Sequence, residues 1–442
     1  MKKLLPLLLI LALLLSACSS GSGAAPAAGE TGESSSASET EKLDHTLITL
    51  KGGEVEIRGG GARDEGGVVA ISAAGTYEIT GSSSEKALVV DTGDDPMDVT
   101  LILNNVEIVN LSGPAIHVKQ AKHFRLRLAD GSDNWLVSGR EEDLQNLDPE
   151  ASGAALFCED DMDIEGEGTL TVCGYLNNGI GCKKDLDFNS GTIAVVAANN
   201  GVRGNNSVQI KGGALAVSAW GDGIKATASD KEGKGYVEIS GGSVSLEVWG
   251  DGIQAATELL ITGGDLNVTT RGDGLKSSSK ALKAEKLIRI SEGTVRVSTL
   301  EDGLRCVTGN VEISGGTLQI TALGDGILAG EKSSGVGDVS ISGGELDISA
   351  GQQAVKARGS FSLSGGSIRA LCGSEKQSAP KGSLCLLCLI SGTQGDPVQL
   401  GELGSVEARQ NYKCLLLVTS ELSPGLQVTV SNRVGSVDAT VK

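Results

Sequence analysis

Aromatic residues are scarce: Phe, Trp and Tyr together make up 2% of the 442 residues. Rings cannot fill a core in a chain of this size, so small and branched aliphatic side chains must. Histidine is rarer still. His45, His117 and His123 lie outside the repeats described below, which argues against a histidine acid–base site or a Ser-His-Asp arrangement on the repeat face. There are 8 prolines against 64 glycines, and no window carries a convincing helical face. Positive charge is short as well. Lys and Arg number 37 against 56 Asp and Glu, for a formal net charge of −19. A surface that acidic disfavours nucleic acid and anionic lipid headgroups. It is compatible with divalent cations and neutral glycans.

The sequence has a repeat. Gly221-Asp222-Gly223-Ile224 returns as Gly250-Asp251-Gly252-Ile253, Gly272-Asp273-Gly274-Leu275, Glu301-Asp302-Gly303-Leu304 and Gly324-Asp325-Gly326-Ile327. Stepping outward adds Asn178, Asn200 and Gln353, so 178, 200, 222, 251, 273, 302, 325 and 353 read as one column. A second column runs in phase: Gly191, Gly213, Gly242, Gly264, Gly293, Gly316, Gly344 and Gly366. Both step by about 22 or about 29 residues, a period that marks a solenoid, propeller or array. Between the corners the apolar residues alternate: Val208 and Ile210, then Leu215, Val217 and Ala219, then Ile224 and Ala226. Short period-2 runs between glycine corners predict a parallel β-helix. A propeller blade would need about 40 residues and hairpin turns.

Residues 1–17 carry Lys2 and Lys3, an apolar run and Leu15-Ser16-Ala17 before Cys18. This pattern fits a bacterial lipoprotein signal, with Cys18 as the lipidated first residue of the mature chain. The expected location is the outer side of a bacterial membrane, with membrane contact only through that anchor. Residues 18–42 are Ser, Gly, Ala, Glu and Thr, the composition of a flexible tether. Residues 43–153 read as N-terminal coils and cap, 154–370 as regular coils, and 371–442 as a C-terminal β cap over the last open edge. A monomer is expected.

Eight cysteines follow Cys18: 158, 173, 182, 306, 372, 385, 388 and 414. Cys182 and Cys306 share the inward column of Ala226, Ala255 and Ala357, as buried thiols would. Disulfides remain an alternative in an exported protein.

Stacked coils place equivalent residues about 4.8 Å apart. Asp222, Asp251, Asp273, Asp302 and Asp325 would repel one another in such a column unless something offsets them. Three devices can do so: corner N–H groups donated to each carboxylate, a salt-bridge ladder from Arg203, Lys225, Lys276, Arg305 and Lys356, or calcium. Trp220 and Trp249 each precede a Gly-Asp-Gly corner, and strand parity turns both outward. They either cover each other under a loop or offer sugar rings a platform, with Arg271 next in their column. Extra residues after Lys225, Lys276 and Leu328 predict a wall along one side, hence a groove for an extended polymer. A lyase would need calcium and a basic residue such as Lys225, Lys276, Arg203 or Arg305. Repetition rung after rung suits a binding surface better than one catalytic centre.

These residues resemble a family of secreted, often lipid-anchored bacterial carbohydrate-binding domain-containing proteins, typified by a clostridial cellulose- and pectin-binding lipoprotein. The matching phrases include GTYEITG (75–81), VTLILNNVEI (99–108), NNGIGCKKDLDFNSGTIAV (177–195) and GGSVSLEVWGDGIQA (241–255). The resemblance implies a right-handed parallel β-helix similar to pectate lyases, calcium on acidic side chains, and polysaccharide binding without established catalysis. Asn177 and Asn178 stand where the family commonly has a histidine, and Glu301-Asp302 departs from Gly-Asp. The expected glycan-binding residues are Trp220, Trp249, Arg271, Lys225, Lys276 and Arg305, and the expected calcium ligands are the five aspartates. A calcium-dependent lyase and an adhesin are the alternative readings.

Overall fold

Three short strands and three corners make one turn of the chain. A representative turn runs Ile224–Ala226, Tyr236–Ile239 and Ser243–Val248, and the next runs Ile253–Ala255, Glu258–Ile261 and Asp265–Thr270. Each strand pairs in parallel with its equivalent one turn on. In this computed structural model, which describes residues 45–94, 96–145, 153–272, 279–331 and 336–442, about 11 turns stack into a parallel β-solenoid. The short strands form a 13-stranded sheet, and the other two columns merge into a 24-stranded sheet. The expected leader, Cys18 and tether lie outside the described residues.

Alternation decides which side chains enter the coil. Leu215, Val217 and Ala219 are buried beside Val244, Leu246 and Val248 of the next turn. Ile224, Ile253, Leu282, Leu304, Ile327 and Val355 stack along the interior of the short-strand sheet, all fully buried. Cys182 and Cys306 share an inward column with Ala226, Ala255 and Ala357, as parity predicts. The eight described cysteines are free thiols.

The glycine column is required at its corners. Gly242 has φ +74°, and a Cβ there would sit 2.7 Å from the carbonyl oxygen of Gly213 one turn earlier. Only a residue without a side chain takes that conformation under so close a neighbour.

The register corrects the aspartate column at one rung. Ile253 pairs with Leu282, not Leu275, so Lys280 takes the place expected for Asp273. The peptide N–H of Gly252 donates to Lys280 O, and that of Ala281 to Asp302 O. Gly-Asp-Gly at 272–274 imitates the corner motif. The chain inserts residues before this corner and resumes the pattern with Lys280-Ala281-Leu282. Asp273 and Lys276 themselves lie outside the described residues. The extra segments therefore do not all follow the same corner. Two follow short strands, Ile224–Ala226 and Ile327–Ala329, whereas the third precedes the short strand Leu282–Ala284.

Both ends of the solenoid are closed by antiparallel pairing. Thr46–Lys51 pairs antiparallel with Glu54–Arg58, and Ala62–Asp64 with Val68–Ile71. At the far end Ser367–Cys372 meets Tyr412–Val418 antiparallel, which stops propagation of the ladder. A small antiparallel sheet of Val398–Gln399, Ser405–Val406, Gln427–Ser431 and Ser436–Thr440 completes this cap.

Candidate carbohydrate-binding face

The corner column works as a hydrogen-bond relay. Each side-chain oxygen accepts the peptide N–H of the equivalent residue one turn on. Asn178 Oδ1 accepts from Asn200 N at 3.1 Å, and Asn200 Oδ1 from Asp222 N at 3.1 Å. Asp222 Oδ1 then accepts from Asp251 N at 2.8 Å, and Asp251 Oδ1 from Lys280 N at 2.9 Å. Beyond Lys280, Asp302 Oδ1 accepts from Asp325 N and Asp325 Oδ1 from Gln353 N, both at 2.9 Å. The other oxygens take lysines: Lys225 Nζ on Asp222 Oδ2 at 2.8 Å, Lys283 Nζ on Asp251 Oδ2 at 3.1 Å, and Lys356 Nζ on Asp325 Oδ2 at 2.6 Å. Carboxylates this buried need such partners to remain charged.

These contacts bear on calcium. Both carboxylate oxygens of Asp222, Asp251 and Asp325 are engaged by the chain itself. Calcium wants six to eight oxygen ligands. Among the described residues no three His, Cys, Asp or Glu side chains converge on a point that could hold an ion. The described corner residues do not fit a calcium row. Among the described residues Asp302 has no lysine on its second oxygen, and Lys280 pairs with Glu301 instead. Burial, as the leading cause, pushes the Asp302 carboxyl above its ordinary value, opposed by the hydrogen bond from Asp325 N and by the charges of Lys280 and Arg305. Arg305 donates to Gly330 O at 2.9 Å.

Trp220 and Trp249 lie outward at consecutive corners, half-buried, with ring centroids 4.8 Å apart and planes 13° apart. Each therefore covers one face of the other. Their remaining faces and edges belong to a longer stripe of corner residues: Tyr175, Ala198, Trp220, Trp249, Arg271, Leu300 and Leu323, fixed in line by backbone bonds just before the corners and, at Leu300, by the pairing of Thr299 with Ala322. Leu300 is 46% exposed and Leu323 55%. The Arg271 guanidinium pairs with Glu247 on the adjoining strand.

Beside this stripe lies the polar outer face of the large sheet. Strand parity turns Thr294, Arg296, Gln319, Glu345, Asp347 and Arg369 outward, and they line a groove of about 890 Å³. Its wall comes from the C-terminal cap, with Thr419 and Ser420 on the rim. Arg409 clamps the cap to the sheet, donating to both Asp347 carboxylate oxygens at 3.0 and 2.9 Å and to Thr321 Oγ1 at 3.0 Å. Arg369 donates to Leu403 O at 3.2 Å. The outward polar residues are legible in the alternation; the wall is not, because it comes from far along the chain.

The family model described as carbohydrate-binding domain-containing protein matches residues 65–309 and 276–384. The chain belongs to that family. A carbohydrate-binding domain-containing protein from Acetivibrio thermocellus is 33% identical over 129 residues, 29% of this chain and 45% of that relative. The chain thus spans under half the length of the curated relative it matches. A solved structure described as a polysaccharide lyase-like protein from C. thermocellum, in a gadolinium derivative, is 26% identical. It aligns with 66% of this chain and 99% of its own, with a TM-score of 0.46.

Proposed function

We propose that this carbohydrate-binding family member holds an extended polysaccharide along the outer face of the large sheet, against the tryptophan and leucine stripe. The observation that carries this reading is that the stripe and a polar groove of about 890 Å³ share strands: Arg296 and Gln319 of the groove lie on the strands that run into Leu300 and Leu323. Hydroxyl-rich chains need both contacts: apolar side chains for the C–H faces of the rings, and polar side chains for the hydroxyls. The outward residues recur about every 4.8 Å along the solenoid, so a polymer laid along it meets many weak contacts. In this reading Arg271 orders the stripe through Glu247, and Lys225 and Arg305 border it around the corner. The chain acts as a monomeric lipoprotein, held through Cys18 to the outer side of a bacterial membrane, and performs no catalysis. No step runs through calcium.

Pull-down on insoluble cellulose and on pectin, with and without chelator, tests the reading. Binding is expected to persist in chelator and to fall at least tenfold in Trp220→Ala/Trp249→Ala. Ultraviolet absorbance from unsaturated uronate ends is expected to stay flat. Release of such ends would transfer the protein to the lyase alternative, and full binding by the double variant would remove the stripe from the account.

A further inference from the structure

We infer that a second subsite, a pocket for a single anionic sugar residue, lies on the outer face of the short-strand sheet between Phe157 and Arg203. Phe157, Gly181, Arg203 and Lys225 stand opposite one another in successive strands. Gly181 contributes no side chain. The ring and the guanidinium therefore flank a slot two strand spacings tall, roughly 10 Å. Its volume is about 200 Å³, and Gly153, Asn178, Cys182, Lys183 and Asn205 complete its lining. A Cβ on Gly181 would stand 3.0 Å from Ala154 Cβ and 3.1 Å from Phe157 Cδ2. The glycine keeps the slot open.

The charge of the slot runs against that of the molecule. The chain has a formal net charge of −19, yet two cations meet here. Lys183 Nζ lies 5.6 Å from the centre of the Phe157 ring, held by Glu159 at 2.5 Å. Arg203 is exposed and has no hydrogen bond or ion pair among the described residues. Its column neighbours differ. Lys225, Lys283 and Lys356 are each bound to a buried aspartate, and Arg305 to Gly330 O. A free guanidinium presents a planar fork matched to a carboxylate, and the facing ring offers an apolar surface for a sugar's C–H face. A pyranose carrying a carboxylate satisfies both at once. A neutral sugar leaves Arg203 unmatched.

This site lies around the corner from the tryptophan stripe and takes one residue rather than a chain. It rests on the polysaccharide reading only for the choice of a sugar as ligand. Glucuronate and glucose, which differ at one carbon, are titrated into the full chain by calorimetry. Glucuronate is expected to bind at least tenfold more tightly than glucose. Arg203→Gln should lower the glucuronate affinity about tenfold or more, the scale of a charged hydrogen bond. Because Arg203 is exposed, the thermal midpoint should not move. Lys183→Gln should weaken binding in the same direction. Equal affinity for the two sugars, or unchanged affinity in a folded Arg203→Gln protein, overturns the proposal. Polymer binding is scored separately: full polymer binding by the tryptophan variant, with glucuronate binding intact, counts against the groove reading alone.

Discussion

Asp251 and Asp302 occupy equivalent corners, and their surroundings differ by one lysine. Asp251 is 1% exposed and holds Lys283 at 3.1 Å while capping the next turn. Asp302 caps the next turn too, but its nearest lysine turns to Glu301. Burial raises the Asp302 carboxyl from the ordinary 3.8. Between the unfolded and the folded value, the folded chain holds a proton there that the unfolded chain has released. Stability from this group is full below the unfolded value and is lost as pH rises through the folded one. Asp302→Asn is expected to raise the thermal midpoint at neutral pH and to flatten that acid-side slope, since its side-chain oxygen can still accept from Asp325 N. Asp251→Asn should instead cost about 1–3 kcal/mol, because it leaves Lys283 without its carboxylate. Thermal melts across the acid range check both. A midpoint lowered equally by the two changes would contradict the assignment. The aspartates and the basic residues three places on were both visible in the sequence. Which lysine serves which carboxylate was not, because Lys283 and Lys356 reach back across a turn to Asp251 and Asp325.

At the scale of elements, the strands and glycine corners follow directly from period-2 alternation, and the parity that turned Trp220 and Trp249 outward holds. The register failed where an insertion carried its own copy of the corner motif. Gly272-Asp273-Gly274 and Lys280-Ala281-Leu282 offered rival alignments, and the winner is the one that leaves a three-step link from Ala284 to the strand starting at Leu287. The groove wall was hidden for a different reason. Tyr412–Val418 docks antiparallel on Ser367–Cys372, and no repeat connects the two. Arg409 is the clamp. Its partner Asp347 is 42% exposed on the side chain, so solvent weakens the pair, and Arg409→Ala is expected to cost only about 1 kcal/mol. The local effect should be larger: limited proteolysis within residues 400–411 should speed up severalfold while the coils stay intact. Unchanged cleavage there would mean that the cap is held by its own core of Leu371, Leu386, Leu415 and Leu417.

For the whole molecule, stacking turns positions far apart in sequence into neighbours along one axis, and the face proposed for polysaccharide exists only through that stacking. Tyr175, Trp220, Trp249, Arg271, Leu300 and Leu323 occupy six of the seven corners in the stripe. Family membership supports carbohydrate binding as the proposed function, and this face is the place proposed for it. Hydroxyl-radical footprinting of the full chain, with and without bound polysaccharide, tests that placement most directly. Loss of labelling is expected at Trp220, Trp249, Leu300 and Leu323, with no change at Leu389 and Val434 on the cap, which are 59% and 78% exposed. Labelling of the stripe that stays unchanged while polymer is bound would contradict it.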